Sequence, residues 1–539
     1  MFHCLVKRTM GKDLRATPTY LKLHRYGRVD MSKWGLQHPQ PFFPPLEKLF
    51  KTETVSSLKE YGIRLREEVS EVIDEDTIRT TEGNAVPVHR KITMILSPFK
   101  WMRGDYGQLG LPKPENVATD MQEKLQSAHT AAYVGALSSI VLSESGCIHF
   151  PKVYGVYVGL ASKHTIDISD DYEDLTDRRW FADNLGKTFE LKLKGPESPA
   201  GFTHTRGQRP VMQLGDEIVL DGFQDVTADH VSNPGSSRSR VSSHATSTQD
   251  NEFDDQTESE EEDEYEIRSC DCMDEDDDSD PDDDEDDEPF AWATFTNAPV
   301  VTTVMEKCQG SFYDLIRDHP EPEKHAAWVA QIVMALAYAQ RNLGFTHNDL
   351  HGNNVMYVPT QQEHLYYKHN GVAYRIPTYG ILIKIIDFDR ATLMLRLTGM
   401  KDPRTFVSSQ FQPDEEAAGQ YNMEPFYDHA HPHIPPSPSF DLCRFATSMF
   451  WDMFPDGPDA VSKHPLFEVF KQWMQQSDGT SVMFRQQRDN HDRYHGFDLY
   501  KAIARYCKDS AVPRREIQKL TAFQIAQVPL GSSCLFIES

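Results

Sequence analysis

Gly344-Phe-Thr-His-Asn-Asp-Leu-His-Gly-Asn-Asn-Val-Met-Tyr-Val358 begins the stretch that decides the fold, and Ile381-Leu-Ile-Lys-Ile-Ile-Asp-Phe-Asp-Arg-Ala391 ends it. A tyrosine-rich run lies between them. Asp349, Asn354 and Asp387 are its chemistry-bearing groups. Asp387 closes an apolar run, Ile381 to Ile386, interrupted only by Lys384. That run has the length and β-branched content of a buried strand. A carboxylate at the end of such a strand, beside a second carboxylate and an amide on a short loop, suits Mg²⁺ and phosphate. Mg²⁺ prefers hard oxygen ligands, takes one or two protein carboxylates and keeps positions for phosphate oxygens.

His347-Asn-Asp-Leu-His-Gly-Asn-Asn354 resembles the protein-kinase catalytic loop, His-Arg-Asp-Leu-x-x-x-Asn, at matching spacing. Asp387-Phe388-Asp389 resembles the Asp-Phe-Gly element. The His-x-Asp-Leu-His-x-x-Asn form is similar to haspin-type kinases and to aminoglycoside phosphotransferases. The wider string resembles serine/threonine protein kinases of large DNA viruses; it adds Glu306-Lys307-Cys308, the tyrosine-rich hairpin and Ile376-Pro-Thr-Tyr-Gly380.

The resemblance implies an α+β, bilobal protein-kinase-like fold, with a small β-rich N-lobe and a larger helical C-lobe, that uses ATP and Mg²⁺. By it, Asp349 takes the proton of the attacking hydroxyl, and Asn354 and Asp387 hold the metal. Lys91, in the strand-like segment 86–100, steadies the ATP phosphates, with Lys100 as a rival. Met305 backs the adenine pocket at a hinge that includes Lys307. His351 stands where the loop usually has lysine, and Asp441 caps the catalytic-loop backbone. The departures are Asn348 for arginine, His351 for lysine and Asp389 for glycine. No Gly-x-Gly-x-x-Gly precedes Lys91; Glu82-Gly83-Asn84 reads only as a turn. A helix is expected over 119–143 with Thr119 as N-cap. Its Glu123 lies too early to serve as the usual ion-pair partner of the lysine.

Composition narrows the alternatives. The chain has 539 residues, 39% hydrophobic, enough for a substantial core. Its net charge of −28 is concentrated. Residues 250–288 carry 25 acidic residues and one arginine, 1 − 25 = −24, leaving −28 + 24 = −4 for the rest. Nothing basic points to nucleic acid. The eight cysteines lack zinc-ligand spacing and suit a reduced, intracellular protein. Cys270-Asp-Cys272 reads as part of a polar tract before it reads as a metal or redox pair. His491, Asp492 and His495 match no metal motif. No signal peptide or membrane-length apolar run is seen. The viral resemblance implies host cytoplasm or virion.

In chain order, residues 1–50 read as an irregular N-terminal arm. Residues 51–194 read as the first part of the N-lobe, with one helix and a strand over 51–82. Residues 195–289 read as a disordered Ser-rich and acidic insertion, because dense like charge and few apolar groups do not offset ordering entropy. Residues 290–310 read as the last N-lobe strand and the hinge, and 311–530 as the C-lobe. The helix expected over 323–343 has apolar residues at helical spacing. Asn370-Gly371 between alternating aromatic runs predicts a β-hairpin inside the gap of 387 − 354 = 33 residues. The implied activity is a serine/threonine protein kinase with ATP and a protein substrate as partners. The alternatives are a small-molecule kinase, or a pseudokinase that holds a basic partner through its acidic tract.

Overall fold

The computed structural model describes residues 18–19, 23–25, 29–41, 61–106, 127–194, 224–226, 290–397, 402–413, 415–485, 493–494 and 496–537. Thr119, Glu123, Cys270, Cys272, His491, Asp492, His495 and the whole acidic tract 250–288 lie outside them.

The architecture is mixed α+β. Its first part is a curled antiparallel sheet made of β1 (Val69–Val72), β2 (Thr77–Thr80), β3 (Ala85–Met94), β4 (Val153–Asp167), β5 (Glu190–Lys194) and β6 (Phe290–Glu306). β6 is the axis: β3 and β5 lie along one edge and β4 along the other, with β2 and β1 outside β3. Lys91 lies on β3 opposite Thr303, and Met305 lies opposite His89. Val88, Ile78, Val300 and Val304 are fully buried within this sheet's core.

Of the stretch 51–82, residues 51–60 lie outside the described residues and 61–82 hold strands and no helix. Two expectations change here. The arm expected to be irregular forms a short helical turn, Ser32–Trp34, and a strand, Leu36–Pro41, that pairs with β4. Gln224–Val226, inside the stretch expected to lack order, pairs with β5. That stretch leaves the sheet at Lys194 and returns at Phe290, and these two residues are direct antiparallel partners. A connection whose ends are already neighbours can lengthen at little cost, because closure entropy grows only with the logarithm of length.

The helix expected over 119–143 begins later. Helix α1 is Ala131–Glu144, and Ser127–Thr130 form a turn before it. The backbone there is engaged elsewhere: Ser409 N donates to His129 O and Ala131 N donates to Ser409 Oγ. Every residue from Ala132 to Leu142 is buried, so the helix is apolar all round and packs on β4 and β6.

Helix α2 (Pro322–Leu343) carries the chain to the loop at 345–354. Pro322 starts it, and Gly344 ends it in the left-handed conformation that glycine takes most easily. Beyond the loop come β7 (Val355–Pro359), β8 (His364–His369), β9 (Val372–Pro377) and β10 (Ile381–Ile385). β7 pairs with β10, Val355 opposite Ile385. β8 and β9 form the expected hairpin; Asn370 and Gly371 have φ of 47° and 83°, the two positive values a tight hairpin turn needs. The hairpin is anchored. His149 stacks on Tyr367 and hydrogen-bonds its hydroxyl at 2.7 Å. The strand Cys534–Ile537, past the residues 311–530 read as the C-lobe, pairs with β8. Helices α3 (Phe440–Met453) and α4 (Asp498–Tyr506) complete the part of the fold that bears on the site. Among the described residues no helix is long and apolar enough to cross a membrane.

Candidate active site

The β7–β10 ladder explains how groups 33 residues apart, 387 − 354, reach one place. Asn354 immediately precedes β7, and Ile386-Asp387 immediately follow β10. Ile386 N donates to Asn354 O at 3.0 Å, and His347 Nε2 donates to Ile386 O at 2.7 Å. Phe388 is buried against Phe150, Phe345 and His347, which turns the flanking acids toward the cleft. Asn348 and Asp387 both adopt positive φ, 69° and 61°. Strain of this kind persists only where surrounding contacts over-determine the backbone.

Those contacts are visible. Asp441, in the first turn of α3 and fully buried, accepts from His347 N and Asn348 N, at 3.0 Å for the latter. Asn348 replaces a guanidinium with an amide: Nδ2 donates to Arg390 O at 2.8 Å, and Oδ1 accepts from Tyr421 Oη at 2.8 Å. The loop is thereby tied to the segment after Asp389 by neutral hydrogen bonds.

Asn354 spends its amide hydrogens on Asp349 O at 2.9 Å and His351 Nε2 at 3.1 Å. Its Oδ1 remains as a hard oxygen facing the site. Asp387 offers a carboxylate whose side chain is 43% exposed. One amide oxygen and one carboxylate fit Mg²⁺, which completes its shell with water and phosphate. Among the described residues no group of three or more His, Cys, Asp or Glu is arranged for a metal.

Lys91 Nζ lies 2.6 Å from Asp387 Oδ1 and 2.8 Å from Asp389 Oδ2. Burial works against its charge, but the two carboxylates outweigh it and hold the ammonium well above the usual lysine value. The same sharing splits the acids. Lys91 holds the half-exposed Asp387 below the ordinary carboxylate value against its partial loss of hydration, while burial and the Asp387 charge push the less exposed Asp389 up. Lys100, the rival, pairs with Glu415 at 2.8 Å.

Asp349 accepts from Tyr500 Oη at 2.7 Å and lies 3.7 Å from Arg390. Burial would raise this carboxyl, but Arg390, His351, Arg444 and the tyrosine hold it far below the usual range. The guanidinium groups of Arg390 and Arg444 lie 5.8 Å and 4.7 Å from the Tyr500 ring centre, so the tyrosine is itself clamped. Sequence reading missed Tyr500, 151 residues from Asp349, and nothing local marks it. Arg390 and Arg444 had a weak signal, since one follows Asp389 directly and the other lies one helical turn past Asp441.

His351, where the loop usually has lysine, does not carry the charge a lysine would. Burial pushes its imidazole down to about 4, against the pull of Asp349 at 4.0 Å. It is neutral at pH 7 and accepts from Asn354, so it orients the amide and supplies no charge. Met305 is buried at the end of β6. Lys307, a candidate nucleotide contact, instead pairs with Asp76 at 2.7 Å.

The turn at 81–84 sits at the far end of the β2–β3 pair from Lys91. The turn on the Lys91 side is Ile73-Asp-Glu-Asp76, between β1 and β2, which has no glycine and three acids. Lys33 Nζ donates to Val72 O and Ile73 O at 3.2 and 2.7 Å, and Trp34 Nε1 donates to Asp74 O at 3.2 Å. With Lys307 on Asp76, the turn is pinned from both sides.

Lys384, the polar break in the apolar run, is 4% exposed and donates to Glu306 at 2.9 Å, joining β10 to the end of β6. In α1, Glu144 is the acidic residue of the described helix. It pairs with Arg66 at 3.4 Å, away from Lys91.

No family model matches the chain. Curated relatives match over a short segment. Serine/threonine-protein kinase haspin of Mus musculus is 41% identical over 63 residues, 12% of this chain and 8% of that protein. The Bos taurus haspin gives the same identity and coverage. Uncharacterized protein ZK177.2 of Caenorhabditis elegans is 32% identical over 63 residues, 12% of this chain and 21% of that protein. The match thus spans less than a quarter of each of these relatives, and over that short stretch the chain has a protein-kinase-like relationship.

Proposed function

We propose that this protein is a bilobal, protein-kinase-like phosphotransferase that moves the γ-phosphoryl of Mg-ATP to a serine or threonine hydroxyl on a protein. The observation that carries the reading is the meeting of Lys91 with Asp387 at 2.6 Å, beside a loop that presents Asp349 and Asn354. The wider motif string also resembles kinases of large DNA viruses, which supports a site of action inside a host cell.

In this reading Lys91 holds the ATP phosphates. Asn354 Oδ1 and the Asp387 carboxylate are the groups that would hold Mg²⁺, which neutralises charge developing on the transferring phosphoryl group. Asp349 receives the acceptor hydroxyl. Its lowered pKa makes it a weak base at neutral pH, so it orients the hydroxyl first and takes the proton late, as a loose phosphoryl-transfer transition state allows. Arg390 and Arg444 keep it ionised. Tyr500 holds Oδ1 and leaves Oδ2 to the substrate. Tyr500→Phe is expected to lower kcat about tenfold with KM for ATP unchanged, the loss of one hydrogen bond to a charged group of about 1.5 kcal/mol. Steady-state transfer assays separate the two constants, and an unaltered kcat removes Tyr500 from the site.

Thermal shift tests the reading directly. Mg-ATP at a hundredfold excess over its Kd should stabilise the fold by about 2.7 kcal/mol. Asp387→Asn should abolish the Mg²⁺-dependent part of that shift, and transfer of labelled phosphate to a protein rather than a metabolite array fixes the substrate class.

The acidic turn 73–76 favours a second reading, a non-catalytic protein that holds a basic partner through the 250–288 tract. The turn's three acids lie at the Lys91 end of the β2–β3 pair, where negative charge opposes an anionic nucleotide. Failure of Mg-ATP to shift the melting point would select it.

A further inference from the structure

Helix α1 lies beside Lys91 and gives it no carboxylate among the described residues; at the position that faces the lysine's partner, the chain has glycine. A Cβ built on Gly135 would lie 1.9 Å from Asp389 Oδ1 and 3.3 Å from Asp389 Cα. The approach to the backbone atom is tight but needs a shift of only a few tenths of an ångström, whereas the overlap with Oδ1 is relieved only when the Asp389 carboxylate moves or is removed. Glycine inside a buried helix costs roughly 1 kcal/mol relative to alanine, so its presence there calls for a packing reason. The reason is Asp389, which fills the space a side chain at 135 would take. It accepts from Thr93 Oγ1 at 3.3 Å as well as from Lys91 at 2.8 Å. Thr93 and Lys91 are two residues apart on β3 and project to the same face.

We propose that Asp389, seated against Gly135, is the positioning residue for Lys91, supplying from the Asp-Phe-Asp element the carboxylate that the kinase arrangement takes from its regulatory helix. The inference rests on the nucleotide-binding reading for its kinetic consequence, though not for the contact itself. Its physical logic is a division of labour. Asp387 and Asp389 share one ammonium. When the Asp387 carboxylate turns to Mg²⁺, Lys91 keeps Asp389 and stays aimed at the phosphates. Because the anchor lies two residues from the metal ligand, Lys91 is held without any inward swing of α1. Gly135 and Asp389 therefore form a matched pair: each departure from the kinase pattern requires the other.

The experiment uses the full chain in four forms: wild type, Asp389→Asn, Asp389→Gly, and the exchange Gly135→Glu with Asp389→Gly. Two measurements are made on each. The first is reactivity of Lys91 toward acetic anhydride, read by peptide mass spectrometry without nucleotide. Asp389→Asn and Asp389→Gly should raise it, and the exchange should return it toward wild type. The second is kcat/KM for ATP, expected to fall between about tenfold and a hundredfold in the single variants and to recover in the exchange. Unchanged Lys91 reactivity in Asp389→Asn overturns the proposal. So does a normal kcat/KM in both single variants of an active wild type. An inactive wild type whose Lys91 still responds to Asp389→Asn would count against the phosphotransferase reading and leave the anchor standing. If the exchange does not fold, Asp389→Asn alone decides, since it preserves volume and removes only charge.

Discussion

Asp349→Asn is expected to cut phosphate transfer by roughly 10²–10⁴-fold, the range that a positioned acid–base group contributes, while Mg-ATP affinity stays near that of wild type. The amide matches the carboxylate in size, and its oxygen can still accept from Tyr500, so the pocket keeps its shape. What disappears is the negative charge facing Arg390 at 3.7 Å and the acceptor that aligns the incoming hydroxyl. Asp349 makes no ion pair with Lys91, which is held by Asp387 and Asp389, so nucleotide binding has no reason to change. Breaking a buried pair leaves the other charge uncompensated, at a cost of about 3–5 kcal/mol when burial is complete. Arg390 keeps Glu416 at 3.2 Å, so the cost here should fall below that range. Single-turnover transfer and ATP titration, run on protein shown to be folded by circular dichroism, make the check. Wild-type turnover in the variant would remove Asp349 from its assigned role.

Acid lability is the second large effect. His149, His164, His351 and His464 are each pushed by burial to about 4. In the unfolded chain each titrates near 6.5. Between roughly pH 6.5 and 4 the unfolded state therefore binds protons that the folded state refuses. Stability is full above that window and falls as pH drops through it, with a slope for one fully buried histidine approaching about 1.4 kcal/mol per pH unit. His149 is the clearest contributor, with no exposed surface and both ring nitrogens engaged, by Ile383 O at 3.0 Å and Tyr367 Oη at 2.7 Å. The lowered carboxyls of Asp349 and Asp387 act in a separate window, below the ordinary carboxylate value near 4. Urea denaturation at pH 7, 6 and 5 should show a falling midpoint, and His149→Gln should flatten the curve. A midpoint constant from pH 7 to 5 would refute the account.

The elements that sequence alone made legible share one property: their signals are local. The hairpin follows from Asn370-Gly371, because two consecutive positive φ values favour those residues. Helix α2 follows from apolar spacing closed by Gly344, and β10 from a β-branched run. Asp349, Asn354 and Asp387 stand out because hard oxygen ligands at such places suit phosphate chemistry. The helix at 119–143 fails at its start because tertiary hydrogen bonds to Ser409 take over the backbone at 129–131. The protonation state of His351 was not legible because it is set by burial, which a sequence does not display.

Residue types and short spacings determined which hard-oxygen groups stand on the loop and after β10, and which segments become strand, hairpin or helix. Tertiary structure decided the rest: Asp389 against Gly135, Tyr500 on Asp349, Lys384 on Glu306, and an acidic turn where glycines were sought. Each of these joins residues from distant parts of the chain. Turn geometry and side-chain periodicity act over a few residues, whereas the partner of a buried charge is fixed only when packing excludes water and leaves one oppositely charged group within reach.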